Sequence, residues 1–276
     1  MNCACVIVNY SDSARVVSLA KRLSEYHLFS SIVVSDNCSP IDQIEKLKEL
    51  EGIDGIKLLF NSENKWFSGG NNEALRYLRN ADIQYVCLIN SDIEVDKETL
   101  TKLIEFLDSH PEIAVSTCQM YEGGEAMQCY YDFPTVRHFI CECLGFTKLF
   151  KMRPKHYTDY GTYGLVDYAR SSLWMVRFQD FSEVDFFDEK TKLYHVETCV
   201  GLKLRSIGKE FALLKDLSYQ HNHIYTKGYK LRGYKDSYIS LKYIFHTYLK
   251  KNKFQFFAMA AAYRLGIVIR KCLRVF

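Results

Sequence analysis

A short apolar run, Tyr85 to Ile89, ends abruptly on Asn90-Ser91-Asp92 and continues as Ile93-Glu94-Val95-Asp96. The run is too brief for a helix, and its β-branched and aromatic content favours a buried strand. Asn, Ser and Asp are ordinary turn residues, so a solvated turn accounts for this stretch taken alone. Carboxylates gathered at a strand end are also the oxygen ligands that a hard divalent cation prefers. A second suggestive stretch is NSENKWFSGGNNEAL, residues 61–75. Gly69-Gly70 lets the backbone approach a ligand or take positive φ, and Asn71 or Asn72 can cap a following helix. A capped helix start does not explain Trp66-Phe67 beside them. Large apolar groups in a loop cost solubility unless they cover something.

The elements that must position these residues alternate along the chain. Strands are expected at 4–8, 31–34, 56–60, 85–89 and 113–117, and helices at 13–26, 41–50, 71–80 and 97–109. This alternation predicts an α/β fold with a parallel sheet wrapped on both sides. Ligands of such sheets bind outside the carboxyl ends of the strands. Four of those ends are polar: Asn9-Tyr10, Asp36-Asn37, Asn61 and Asn90-Ser91-Asp92. The first strand-to-helix turn, Asn9-Tyr10-Ser11-Asp12, has neither Gly-x-Gly-x-x-Gly nor a Walker lysine, which weakens dinucleotide and P-loop readings.

Composition narrows the field further. The 276 residues allow one large α/β domain or two small ones. A net charge of +3 is too mild to argue for nucleic acid, and none is expected as a partner. The ten cysteines are scattered without Cys-x-x-Cys or paired zinc spacing, and several sit in apolar runs, which suits a reducing cytoplasm. The start, MNCACVIVNY, reads as a first strand rather than a signal peptide, and no apolar stretch reaches the roughly 18 residues of a spanning helix.

Five segments, in order, resemble the inverting family-two glycosyltransferases of the rhamnosyl- and galactofuranosyl-transferase-like branch. Asn61-x-x-Asn64-x-x-Phe67-x-Gly69-Gly70-Asn71-Asn72 looks like that branch's N-x-x-N-x-G-F-x-G-G-N-N turn. VVSDNCS (33–39) resembles its V-V-D-N-A-S segment, and CLINSDIEV (87–95) its L-L-N-P-D-x form of the Asp-x-Asp motif. VDYARSSLWMVR (166–177) is similar to the strand below the acceptor, and FFDEKTKLYHVETCVGLKLRSIG (186–208) to the segment carrying the base. Together these cover roughly residues 3–226. The resemblance implies a GT-A-like fold: a nucleotide-binding half (1–118), an acceptor-binding half (119–228) and a helical tail (229–276).

The same resemblance implies roles. Asn9, Tyr10 and Asp36 would hold the nucleoside, and Asn64, Phe67, Gly69, Gly70 and Asn71 would form the donor-side turn. Asp92 would hold Mn2+ or Mg2+ against the leaving diphosphate, whose charge a divalent ion stabilises. Asn90, standing where the motif's first Asp usually is, would orient a metal-bound water or the ribose; Glu94 is either a helper or a solvent-facing turn residue. Counting back from Gly208 puts the catalytic base on Glu197, preceded by Val196 rather than Glu; a carboxylate at a helix start is also favoured by the macrodipole. His221, five residues before Thr226, would reach the metal or the diphosphate, with His223 as its rival. Ser171, Ser172 and Trp174 would line the acceptor side. Ser171-Ser172 in the Gly-Ala place and Trp66 in a Gly place leave donor and acceptor identity open.

Beyond Tyr229 the composition changes. Tyr238, Leu241, Phe245, Tyr248 and Leu249 recur at helical spacing, and 254–269 is apolar but broken by Gln255 and Arg264. Such helices suit a membrane interface, and equally a pair packed on the main domain. The expected protein is a cytoplasmic transferase, peripheral on the inner membrane face, using a UDP- or dTDP-linked donor and a glycan or lipid-linked acceptor; a homodimer is left open. A non-catalytic nucleotide-sugar-binding partner would keep Asp36 and Asp92 and gain nothing from Glu197. A nucleotidyltransferase would want a Gly-rich basic loop after the first strand, unlike Asn9-Tyr10-Ser11-Asp12.

Overall fold

A computed structural model describes residues 2–146, 156–222 and 230–272. The first half alternates β1 (Cys3–Asn9), α1 (Ser13–Glu25), β2 (Ser31–Asp36), α2 (Ile41–Leu47), β3 (Ile56–Phe60), α3 (Trp66–Leu78) and β4 (Tyr85–Ile89). These four strands are mutually parallel in the order β3-β2-β1-β4. Helices cover both faces of the central pair, which is why Cys3 to Ile7 and Tyr85 to Ile89 are unbroken apolar runs and entirely buried.

After β4 come β5 (Ile93–Glu94), α4 (Lys97–Ser109), β6 (Ile113–Glu122), β7 (Glu125–Ala126), β8 (Tyr130–Tyr131) and α5 (Val136–Cys143). Asp96 caps α4, its carboxylate accepting the Thr99 N–H at 2.6 Å, and Leu100, Leu103, Ile104 and Leu107 face the core. Next are β9 (Tyr157–Asp159), β10 (Tyr163–Val166), β11 (Tyr168–Ala169), β12 (Leu173–Arg177), α6 (Phe178–Glu183), α7 (Val196–Ser206) and β13 (Glu210–His221). Strand β12 enters between β4 and β6 and is antiparallel to both. One sheet therefore runs β3-β2-β1-β4-β12-β6-β13-β10-β9 through both halves, so the sheet is mixed beyond β4.

Two expectations about elements need correction. Helix α3 begins at Trp66, not Asn71, so Gly69 and Gly70 lie inside its first turns rather than in a loop. The Asn64 side chain accepts the Trp66 N–H at 2.8 Å, and Asn37 donates to the Trp66 carbonyl at 2.8 Å. A Cβ on Gly70 would meet Asn37 Nδ2 at 2.5 Å and Val8 Cγ1 at 2.9 Å. Glycine there permits a close helix-to-strand approach. The other correction is β6, which runs on to Glu122 alongside a twelve-residue β13. An irregularity between Leu214 and Ser218 restores their pairing, so that Gln220 lies against Tyr121.

The tail forms α8 (Lys230–Thr247) and α9 (Lys253–Cys272). Leu241, Phe245, Met259 and Ala262 build a second small core with Phe139 and Cys143 of α5. Arg270 donates to the Cys143 and Glu142 carbonyls, a cationic cap on the C-terminus of α5. The tail therefore packs on the main domain, as one of the two readings of the sequence had it. The face of α9 carrying Phe254, Phe257, Leu265 and Val268 stays exposed. No helix among the described residues is long and apolar enough to cross a membrane.

Candidate functional site

The carboxyl ends of β1, β2 and β4 do meet at one edge, but several predicted side chains there serve the protein itself. Asn9 is fully buried, donating to Asp36 Oδ1 at 2.7 Å and lying 3.1 Å from the Ser13 and Ser39 hydroxyls. Asp36 Oδ2 accepts the Ser39 N–H at 3.0 Å. The pair clamps β1 to the loop after β2, where direct nucleoside contacts had been expected. Asn71 donates to the Phe67 carbonyl at 2.9 Å, and Phe67 packs edge-on against Phe187 at 5.5 Å. Asn72 brackets the same turn, bonding Phe187 at its carbonyl and N–H and Glu189 at its carboxylate. Tyr10, by contrast, is 56% exposed at this edge, an open aromatic face.

Asp92 is positioned by register. Strand β5 begins at the next residue and pairs antiparallel with the end of β13, setting Ile93 opposite His221 and Glu94 opposite Gln220. The register brings His221 Nε2 within 3.3 Å of Asp92 Oδ2, and Glu122, at the end of β6, lies 2.7 Å from His221 Nδ1. Burial lowers the His221 pKa, but the hydrogen bonds and charges of Asp92 and Glu122 outweigh it and leave it raised. Glu94 lies exposed, accepting from Asn222 at 2.8 Å. His223 and Thr226 fall outside the described residues.

Glu197 stands in the first turn of α7, and its carboxylate reaches across to Ser171, whose hydroxyl donates at 2.8 Å and whose N–H lies at 3.4 Å. Next to it, Ser172 shares a 2.6 Å hydrogen bond with the Tyr219 hydroxyl, and its carbonyl accepts the Asn90 N–H at 3.0 Å. Burial pushes the Tyr219 and Tyr168 phenols up, so both remain neutral hydrogen-bonding groups. Before the helix, His195 holds a left-handed conformation, φ 62°, and contacts Ser237 of α8 at 2.8 Å. Part of His195 faces the cavity, yet burial pushes its imidazole down to about 4.

These pieces surround one cavity of about 620 Å³. Asn90, Ser171, Ser172, Glu197 and His221 line it together, and Asp92 sits against His221. Trp174 does not reach it: the ring is buried in the sheet core, 5.2 Å from Phe211 and 6.1 Å from Phe187. Sequence reasoning missed Glu122, Tyr131, Tyr168, Arg170, His195 and Leu241. The β8–β11 pair sets Tyr131 opposite Tyr168, both lining the cavity, and Arg170 donates to the Tyr131 hydroxyl at 2.9 Å. Arginine and tyrosine in a Tyr-rich chain carry no local signal of a site.

No group of three His, Cys, Asp or Glu residues suited to hold a metal by itself occurs among the described residues. Magnesium and manganese need only one or two protein ligands when phosphate oxygens complete the shell. Asp92 and His221 fit that smaller demand, and Glu122 on Nδ1 fixes the imidazole as a carboxylate behind a ligating histidine does.

The comparisons with known proteins agree with this architecture. Residues 5–184 match the Glycosyl transferase family 2 description. The chain is 25% identical over 211 residues to rhamnosyltransferase WbbL of Escherichia coli (strain K12), covering 73% of this chain and 77% of that one. It is 24% identical over 205 residues to the low-salt glycan biosynthesis hexosyltransferase Agl10 of Haloferax volcanii, covering 73% of this chain and 62% of Agl10. Among solved structures, the mannosyltransferase PcManGT of Pyrobaculum calidifontis, in complex with GDP-Man and Mn2+, is similar at TM-score 0.61 and 14% identity, over 95% of this chain and 69% of that one. That last likeness concerns the fold, which is GT-A. With the matched profile spanning more than half its length, the chain belongs to glycosyl transferase family 2.

Proposed function

We propose that the chain is a metal-dependent inverting glycosyltransferase that moves a sugar from a UDP- or dTDP-linked donor to a glycan acceptor, lipid-linked in surface polysaccharide assembly. The observation that carries this reading is the shared cavity: Glu197 and His221 line it, with Asp92 3.3 Å behind His221. Asp92 and His221 would hold a divalent ion, which supplies charge neutralisation to the departing diphosphate. Tyr10 offers a stacking face to the nucleobase at the adjoining edge. The acceptor hydroxyl attacks the anomeric carbon in line and its proton passes to a Glu197 oxygen. The bond to the diphosphate breaks, the nucleoside diphosphate leaves with the electron pair, and the anomeric configuration inverts.

The tail supports a lipid-linked acceptor. Leu241 of α8 lines the cavity, and α9 turns an apolar stripe outward among Lys253, Arg264 and Lys271. An apolar stripe with flanking cations suits an anionic membrane surface. Donor binding and nucleoside diphosphate release, measured over a panel of sugar nucleotides with manganese, test the proposal. Asp92→Ala should abolish metal-dependent donor binding, whereas Glu197→Gln should keep binding and lose transfer. Full turnover by Glu197→Gln would remove Glu197 from the base role, and a wild-type protein without transfer would leave a binding partner only.

A further inference from the structure

We propose that Ser171 is a positioning residue, acting on the acceptor through Glu197 rather than by touching it; the inference rests on the base role given to Glu197 above. A glutamate lining a 620 Å³ cavity has three side-chain torsions to explore, and proton transfer demands one geometry. Ser171 supplies the restraint. Its hydroxyl donates to Glu197 Oε1 at 2.8 Å, and its own N–H points at the same oxygen from 3.4 Å. Both donors converge on Oε1, which leaves Oε2 to take the acceptor proton.

The restraint is itself held. Ser171 and Ser172 are both buried. The Ser172 hydroxyl is tied to Tyr219 on β13 at 2.6 Å, and the Ser172 carbonyl takes the N–H of Asn90, two residues before Asp92, at 3.0 Å. Tyr219 lies two residues before His221 on the same strand. The two serines thus join the base on one side to the metal-side strands on the other. Such a strut fixes the distance between proton acceptor and leaving group, the quantity to which in-line displacement is most sensitive.

The test compares wild type, Ser171→Ala, Ser171→Thr, Glu197→Gln and the double variant Ser171→Ala/Glu197→Gln. Each is assayed with manganese chloride and whichever of dTDP-rhamnose, UDP-glucose or UDP-galactose the wild type turns over. Ser171→Ala should lower kcat ~10- to 100-fold, the cost of an ångström-scale misplacement, with the donor dissociation constant and Tm unchanged. Ser171→Thr, which keeps the hydroxyl, should recover most of the loss. Measured on the residual transfer that Glu197→Gln leaves, Ser171→Ala should cost nothing further, because the residue acts only through the carboxylate. Wild-type kcat for Ser171→Ala, no recovery in Ser171→Thr, or an equal further loss in the double variant would overturn the positioning role. Wild-type turnover by Glu197→Gln would instead overturn the base assignment beneath it.

Discussion

Asp92, His221 and Glu122 form a line in which each neighbour fixes the next, at 3.3 Å and 2.7 Å. Glu122 is the outer member, so its effect should run through the imidazole. Glu122→Gln should weaken metal-dependent donor binding ~10- to 100-fold and leave kcat at saturation nearly unchanged, as isothermal titration beside steady-state kinetics can check. Equal binding in the variant would mean that His221 needs no such orientation. Asp92 stood out in the sequence because a buried apolar strand stops dead at it. Glu122 did not, because a glutamate before Gly123-Gly124 reads as a hairpin turn, and only the pairing of β6 with β13 brings it to His221. Trp174 and Asn9 misled for the opposite reason. Both side chains are fully buried, Trp174 in the sheet core and Asn9 in the clamp on Asp36, and burial of that kind is set by packing that neither local stretch reveals.

At the level of elements, α3 depends on a glycine at its closest approach to the sheet. Gly70→Ala would push a methyl to 2.5 Å from Asn37 and 2.9 Å from Val8, an overpacking that should destabilise by roughly 1–3 kcal/mol in chemical denaturation. A neutral substitution would show that Asn37 simply swings aside. Asp188 links the 186–189 turn to the tail, accepting from the Tyr243 hydroxyl at 2.7 Å and the Tyr248 hydroxyl at 2.5 Å. Burial raises its pKa, but the two phenols and the Lys190 N–H outweigh this and hold it below the usual carboxylate value. A lowered folded-state pKa gives a contribution complete above the unfolded value and lost as pH falls through the folded one. Protection of α8 amides, taken relative to the intrinsic exchange rate at each pH, should therefore fall as pH drops below about 4, and Tyr243→Phe/Tyr248→Phe should flatten that dependence. Strand-helix alternation was legible through β4 because every parallel strand there is an unbroken apolar run. The start of α3 was not, since two adjacent glycines signal a loop unless the sheet beneath them is known.

On the scale of the whole molecule, one mixed sheet runs through both halves, because β12 is inserted between β4 and β6. This non-local pairing leaves no trace in periodicity, and the sequence reading did not foresee it. The tail's second core could be read as helical amphipathicity, but the helix α5 that receives it could not. Outward on α9, Phe254 and Phe257 are 79% and 72% exposed. Phe254→Ser/Phe257→Ser should reduce co-sedimentation with anionic phosphatidylglycerol vesicles severalfold while leaving Tm unchanged. Equal sedimentation of the variant would assign that face to something other than lipid.

The most direct measurement is anomalous diffraction from crystals soaked with manganese chloride and UDP. The account predicts one manganese peak bonded to Asp92 and His221, with the UDP diphosphate beside it in the cavity that Glu197 lines. A manganese–UDP complex bound away from Asp92, or on a surface that Glu197 does not share, would contradict it.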